Sequence, residues 1–205
     1  MDDETTMLLS RGRKCLVLAS GSPRRKEILR NAGLPFEVRV AAVAEVRQPG
    51  ESPRDYVTRL AREKAHAVVC GDEEIVLAAD TTVVAGEAVL EKPTDAADAR
   101  RMLRLLAGRV HTVMTGICLR SEGCEIFDLA ETEVRFTPMT DAEIDAYVAS
   151  GEPMDKAGGY AIQGLASKFV DRVDGCYWNV VGLPIALVYT RLKSDFGFVQ
   201  SEDAG

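Results

Sequence analysis

The chain is poor in histidine and tryptophan and has no paired cysteine motif. It contains two histidines, His66 and His111, and one tryptophan, Trp178. So few imidazoles argue against a zinc centre built on histidine. The five cysteines, Cys15, Cys70, Cys118, Cys124 and Cys176, form no C-x-x-C pair and are odd in number. They read as reduced thiols of a cytoplasmic protein rather than a disulfide framework. No run approaches the roughly 18 apolar residues of a membrane-spanning helix, so no membrane partner is expected. The net charge is −7. The basic surface of a nucleic-acid binder is therefore missing, and no nucleic-acid partner is expected. Internal repeats and low-complexity blocks are also lacking.

What is there suits a soluble globular chain. The 205 residues are 46% hydrophobic and 28% charged. That length allows one large α/β domain, or a domain with two lobes. Residues 1–13 lack the apolar core of a secretory signal and read as a flexible extension. Residues 14–193 read as the folded domain, and residues 194–205 as a loose tail.

Strand and helix signals alternate irregularly. Apolar runs at Cys15–Ala19, Phe36–Ala42 and Ile75–Ala79 predict strands, the last ending on Asp80. Thr82–Ala85 and Glu87–Leu90 flank Gly86 as a hairpin, and Val110–Leu119 and Ile126–Phe136 pair across Glu122-Gly123. A short strand is expected at Phe169–Val173. Ser22-Pro23 and Ser52-Pro53 open helices that reach about Ala32 and Val69. Thr94 is expected to cap a helix over Asp95–Leu106, and Thr140 with Glu143 forms a capping box for a helix ending near Gly151. Pro184 starts a last helix, to about Lys193. Without strict alternation, these elements favour a mixed sheet flanked by helices over a purely parallel one.

The stretch ASGSPRRKEIL carries an oddity. Arg24, Arg25 and Lys26 crowd the helix end that is already partly positive, where acids are favoured by about 0.3–1 kcal/mol each. Either the cations point into solvent, or an anion sits at the helix start. In the second case the Gly21 and Ser22 amides and the Ser20 hydroxyl would meet a phosphate, and Arg24 or Arg25 would hold its oxygens.

Lys64 is the second oddity. In SPRDYVTRLAREKAHAVV it falls within the apolar stripe of Val57, Leu60, Ala61 and Val68. It either snorkels to the edge or meets an anion in a cleft. Asp80, at the end of an apolar strand, either caps the next turn or serves as a metal ligand or proton acceptor where ligands collect in α/β sheets. Lys92 and Glu45, in polar loops, say little alone. Three glycines in DKAGGYAIQG suggest close backbone approach, and Gln163 offers both a donor and an acceptor to an amide-like edge, or is simply an exposed turn residue. Tyr177 and Trp178 either line a cleft or pack in the core. Taken together, these groups suit a metal-bound polyphosphate carrying a base.

LASGSPRRKEIL, LAREKA, LAADTTVV, LEKPTDAADARRMLRLLAGRVHTVMTG, DKAGGYAIQG and YWNVVGLP occur in the order found in the Maf family, over about residues 15–193. The chain closely resembles that family. The resemblance implies a mixed α/β fold with an elongated central sheet and two lobes around a deep cleft, of the Maf/ITPase-like kind. It implies hydrolysis of a nucleoside triphosphate between its α and β phosphates, with a divalent cation, Mg²⁺ or Mn²⁺, in a cytoplasmic homodimer. Asp80 matches the family's proton acceptor. Ser20, Arg24, Arg25, Lys64 and Lys92 match its phosphate-handling residues, and Glu45 with Asp80 the metal site. Arg24, Thr81 and Gln163 match positions that mark the dTTP/UTP subfamily, with Gln163 meeting the O4/N3 edge of uracil or thymine. Thr82 and Trp178 depart from the residues usual at their positions. The family's link to septum formation implies an alternative, a nucleotide-binding regulator of cell division whose hydrolysis is incidental. Modified pyrimidine triphosphates, in a house-cleaning role, are a further substrate class.

Overall fold

The computed structural model describes residues 14–40 and 42–198. The expected extension at 1–13 and the last seven residues of the expected tail, 199–205, lie outside the described residues.

Apolar alternation builds the sheet. Strand β3, Glu74–Ala85, is its spine. Ile75, Leu77 and Ala79 pack into the larger core, while Val76 and Ala78 face a second, smaller one. This is the two-residue period of a strand buried on both faces. On one side β3 pairs in parallel with β1, Cys15–Leu18, which pairs in parallel with the two-residue β2, Glu37–Val38. On the other side it pairs antiparallel with β5, Val110–Ser121. β5 continues antiparallel to β6, Cys124–Phe136, and β6 to β7, Val170–Asp174. A short β4, Ala88–Leu90, folds back onto Val83–Ala85. The result is the expected mixed sheet, of seven strands in the order β2-β1-β3-β5-β6-β7 with β4 on β3.

The helices cover both faces. α1, Pro23–Asn31, buries Ile28 and Leu29 in the larger core. α2, Pro53–His66, lays Ala61 and Ala65 on the smaller one. Its approach depends on Gly116 of β5. A Cβ there would stand 2.6 Å from the Val57 carbonyl oxygen, so only a residue without a side chain lets the helix settle this low. α3, Ala96–Leu106, and α4, Asp141–Ala149, pack beside each other on the larger core. Three 3-10 turns follow α4, at Glu152–Asp155, Ala157–Gly159 and Leu165–Phe169. Then come the short α5, Tyr177–Val181, and α6, Ile185–Phe196.

Several sequence expectations need correction. In the predicted strand at Phe36–Ala42, Glu37 and Val38 are the strand residues among those described, paired with Val17 and Leu18 of β1. Asp95, not Thr94, caps α3, its side chain accepting from the Asp98 amide. α6 runs on to Phe196, and Phe196 and Phe198 are buried in the larger core, so the first residues of the expected tail are folded. Tyr177 and Trp178 belong to a short helix that was not expected. Asp80 does not end a strand: β3 continues through it to Ala85, held by β5 from Val76 to Val84.

That last difference creates the site. β1 covers β3 only from Glu74 to Leu77, and β4 covers it only from Val83 to Ala85. Between them the edge of β3 from Ala78 to Thr82 faces the end of β1 and the loop that follows it.

Candidate active site

A cleft of about 540 Å³ opens at this gap. Its lining brings together Ser20, Arg24, Arg25, Glu45, Lys64, Asp80, Thr81, Lys92 and Gln163. All nine were singled out in the sequence, and they come from segments spread over more than half the chain.

Parity places Asp80. It follows Val76 and Ala78 on the α2 side of β3, and Lys64 lies on the buried stripe of α2, with Tyr56, Val57, Leu60 and Ala61. The Lys64 ammonium donates to Oδ1 of Asp80 at 2.5 Å and to Oε1 of Glu45 at 2.6 Å. Lys92 reaches the other oxygen of Glu45 at 3.0 Å. The lysine in the apolar stripe therefore does not snorkel away; it bridges two carboxylates at the foot of a cleft. The side chains of Lys64 and Asp80 are only 11% and 10% exposed, so their attraction is poorly screened by water.

The two acids respond differently. Burial pushes the Asp80 carboxyl above its ordinary value, and the Lys64 charge pulls back against that rise without cancelling it. Partial burial also opposes the charge of Glu45, but there the hydrogen bonds and charges of Lys64 and Lys92 win, holding it at about 2.

Thr81, next in the strand, faces the opposite way, toward α1. Here the crowded helix start finds its explanation. Ser22 caps α1, accepting from the Arg25 amide at 3.4 Å, and Pro23 follows. Arg25 turns inward: its guanidinium donates to the Gly182 carbonyl at 2.9 Å, Ser20 Oγ at 3.3 Å and Thr81 Oγ1 at 3.2 Å. Desolvation works against its charge, and the Asp80 carboxylate supports it. The Ser22 amide also donates to Ser20 Oγ, at 3.2 Å. Thr81 is fixed by a hydroxyl contact of 2.9 Å with Thr115. Arg24 reaches across the cleft mouth to the Asp155 carboxylate, at 3.1 Å. Two of the three cations are thus spent on tertiary contacts rather than on solvent.

Gln163 is exposed, in a turn closed by the Gly164 amide on the Ala161 carbonyl. Sequence reasoning missed Tyr56, Glu91 and Asp155, which also line the cleft. The Tyr56 hydroxyl donates to the Glu91 carboxylate. The signals were present: Tyr56 precedes Lys64 by eight positions on one helix stripe, and Glu91 adjoins Lys92. Asp155 gave no signal, because its partner lies far away in sequence. Trp178 is not among the cleft residues; it packs against the larger core.

A basic helix start, paired lysines and one buried carboxylate around one cleft can take up a polyphosphate and present an acid-base group to it. The comparisons agree in kind. The chain is 57% identical over 182 residues to the dTTP/UTP pyrophosphatase of Anaeromyxobacter dehalogenans (strain 2CP-C), covering 87% of this chain and 92% of the relative. It is 51% identical over 179 residues to the enzyme of that name from Koribacter versatilis (strain Ellin345), covering 87% and 93%. A comparison with solved structures matches a HAM1 protein from Coxiella burnetii at 16% identity with a TM-score of 0.46, over 88% of this chain and 98% of that one, a likeness too slight to carry an inference. The Maf-like protein family model matches residues 15–195, nearly the whole described chain and every cleft residue named above, and the chain belongs to that family.

Proposed function

We propose that this protein is a nucleoside triphosphate pyrophosphatase that hydrolyses dTTP and UTP to the nucleoside monophosphate and pyrophosphate. Relatives with that activity in their names, at 51–57% identity and over most of both chains, support the reading. The observation that carries it is the Lys64 ammonium bridging Asp80 and Glu45 beside the Arg25 helix start.

The residues divide the work. Ser20, Arg24, Arg25 and Lys92 meet the charge of the triphosphate, with Arg24 released from Asp155 to do so. Asp80, raised by burial above its ordinary value, orients a water and takes its proton. The water oxygen attacks the α-phosphorus, the bond from that phosphorus to the α-β bridging oxygen breaks, and pyrophosphate leaves with the bridging oxygen. Lys64 keeps the Asp80 carboxylate fixed and charged, ready for the proton. Gln163 pairs with the O4/N3 edge of uracil or thymine, and Arg24 and Thr81 shape that preference.

Glu45 and Asp80 converge on one ammonium, so their hard oxygens suit Mg²⁺ or Mn²⁺. Among the described residues no group of three or more histidine, cysteine, aspartate or glutamate side chains is arranged to hold a metal. Glu45 and Asp80 would hold such an ion together with the bound triphosphate. Such an ion supplies charge neutralisation at the phosphates. A cytoplasmic homodimer completes the proposal; the five unpaired thiols are in keeping with a reducing compartment. No helix among the described residues is long and apolar enough to cross a membrane.

The test is pyrophosphate release from canonical and modified nucleoside triphosphates, with Mg²⁺ or Mn²⁺, by wild type and Asp80→Asn. The expected result is turnover of dTTP and UTP that falls by about a thousandfold in the variant, the scale of losing a positioned general base. Tight nucleotide binding without turnover in the wild type would favour the regulator instead.

A further inference from the structure

Gln163 sits on an exposed turn, yet reading one base edge requires that its backbone be held still. Two residues outside the cleft hold it, one on each flank. On the near side, the Ala161 amide donates to the Tyr147 hydroxyl oxygen at 3.1 Å. On the far side, the Leu165 amide donates to Oε2 of Glu152 at 3.1 Å. The two anchors are joined, because the Tyr147 hydroxyl donates to Oε1 of the same carboxylate at 2.8 Å. The turn also lies directly on this carboxylate: a Cβ at Gly164 would meet it and push the Glu152 side chain aside. Tyr147 lies on the buried face of α4, and Glu152 opens the 3-10 turn that follows. Neither lines the cleft.

We infer that Glu152, acting with Tyr147, is a positioning residue for base selection, clamping both flanks of the turn that presents Gln163 to the pyrimidine edge. The inference rests on the proposed hydrolysis of UTP and dTTP. Both carboxylate oxygens are used as acceptors, one for each arm of the clamp, which only a carboxylate or a similarly forked acceptor does without reorganisation. Losing the clamp frees the turn while leaving Asp80, Lys64 and the phosphate-facing cations where they are. The effect should therefore fall on discrimination between bases and on KM, not on the chemical step.

The experiment compares UTP with CTP, which differ at the C4/N3 edge alone, in wild type, Tyr147→Phe and Glu152→Ala. Each variant should lower the UTP-over-CTP ratio of kcat/KM by about tenfold, the scale of one misplaced hydrogen bond, with kcat for UTP within about threefold of wild type. Glu152→Gln, which retains one carbonyl acceptor, should recover part of the ratio. In a Gln163→Ala background neither substitution should lower the ratio further, because the residue they position is gone. An unchanged ratio in folded Tyr147→Phe overturns the inference, as does a loss that persists in the Gln163→Ala background. If Glu152→Ala does not fold, Tyr147→Phe decides the matter alone. A wild-type protein that fails to hydrolyse UTP overturns the proposed function, and this inference with it.

Discussion

The ammonium of Lys64 and the carboxylate of Asp80 meet at 2.5 Å, joining the last turn of a helix to the middle of a strand. Neither element exposes these groups to bulk water, and each charge is tolerated because the other is there. Glu45 shares the same ammonium, so the three form one electrostatic unit rather than two pairs. That unit makes the pH dependence of the protein specific and testable.

Burial raises Asp80, the positive neighbour Lys64 lowers it, and the negative neighbour Glu45 raises it. The proposed mechanism requires the ionised form, so kcat/KM should fall on acidification through a limb lying above the ordinary aspartate value of 3.8. Removing Glu45's charge in Glu45→Gln should move that limb down, and removing the cation in Lys64→Met should move it up. The residual activity of each variant, followed against pH, checks both signs. Shifts in the same direction would mean that Asp80 is not the group being titrated.

Gly116→Ala should weaken the fold and the site together. The new methyl meets the backbone of Val57, which cannot rotate away as a side chain would. Lifting α2 should cost about 1–3 kcal/mol, in the usual range for overpacking a core, and should draw Lys64 away from Asp80. Urea unfolding measures the first effect, and the acid limb of the pH profile the second. Wild-type stability in Gly116→Ala would show that α2 has room to spare.

Chelation should separate activity from folding. If Glu45 and Asp80 hold the ion as proposed, it binds mainly together with the triphosphate. EDTA should therefore abolish turnover but leave the Tm of the nucleotide-free protein unchanged, and Mg²⁺ or Mn²⁺ should restore activity. A large fall in Tm on chelation, without nucleotide, would point to a structural metal instead.

Much of this was legible in the chain itself. Ser22-Pro23 and Ser52-Pro53 cap their helices as their local chemistry requires, and the Thr140–Glu143 capping box forms in full. Lys64 stood out because helical periodicity is a local property: a cation inside an apolar stripe is visible whatever the helix packs against. The resemblance to one family gathered the remaining site residues, which local patterns left ambiguous.

What the sequence by itself determined was thus the short-range part: caps, periodicity, the mixed succession of strands and helices, and the inventory of charges. Only the tertiary structure decided where those charges would meet. Asp80 lies within β3, not at its end, because Thr112–Thr115 of β5 carry the ladder past it as far as Val84. The cleft exists because β1 and β4 both stop short of Asp80 on the other edge, which depends on where loops distant in sequence begin. Arg24 finds Asp155, and Glu152 finds the flank of Gln163, across separations that no local window spans. Hydrogen bonds and charges act over a few ångströms of space, so their partners are chosen by the folded path of the chain rather than by proximity along it.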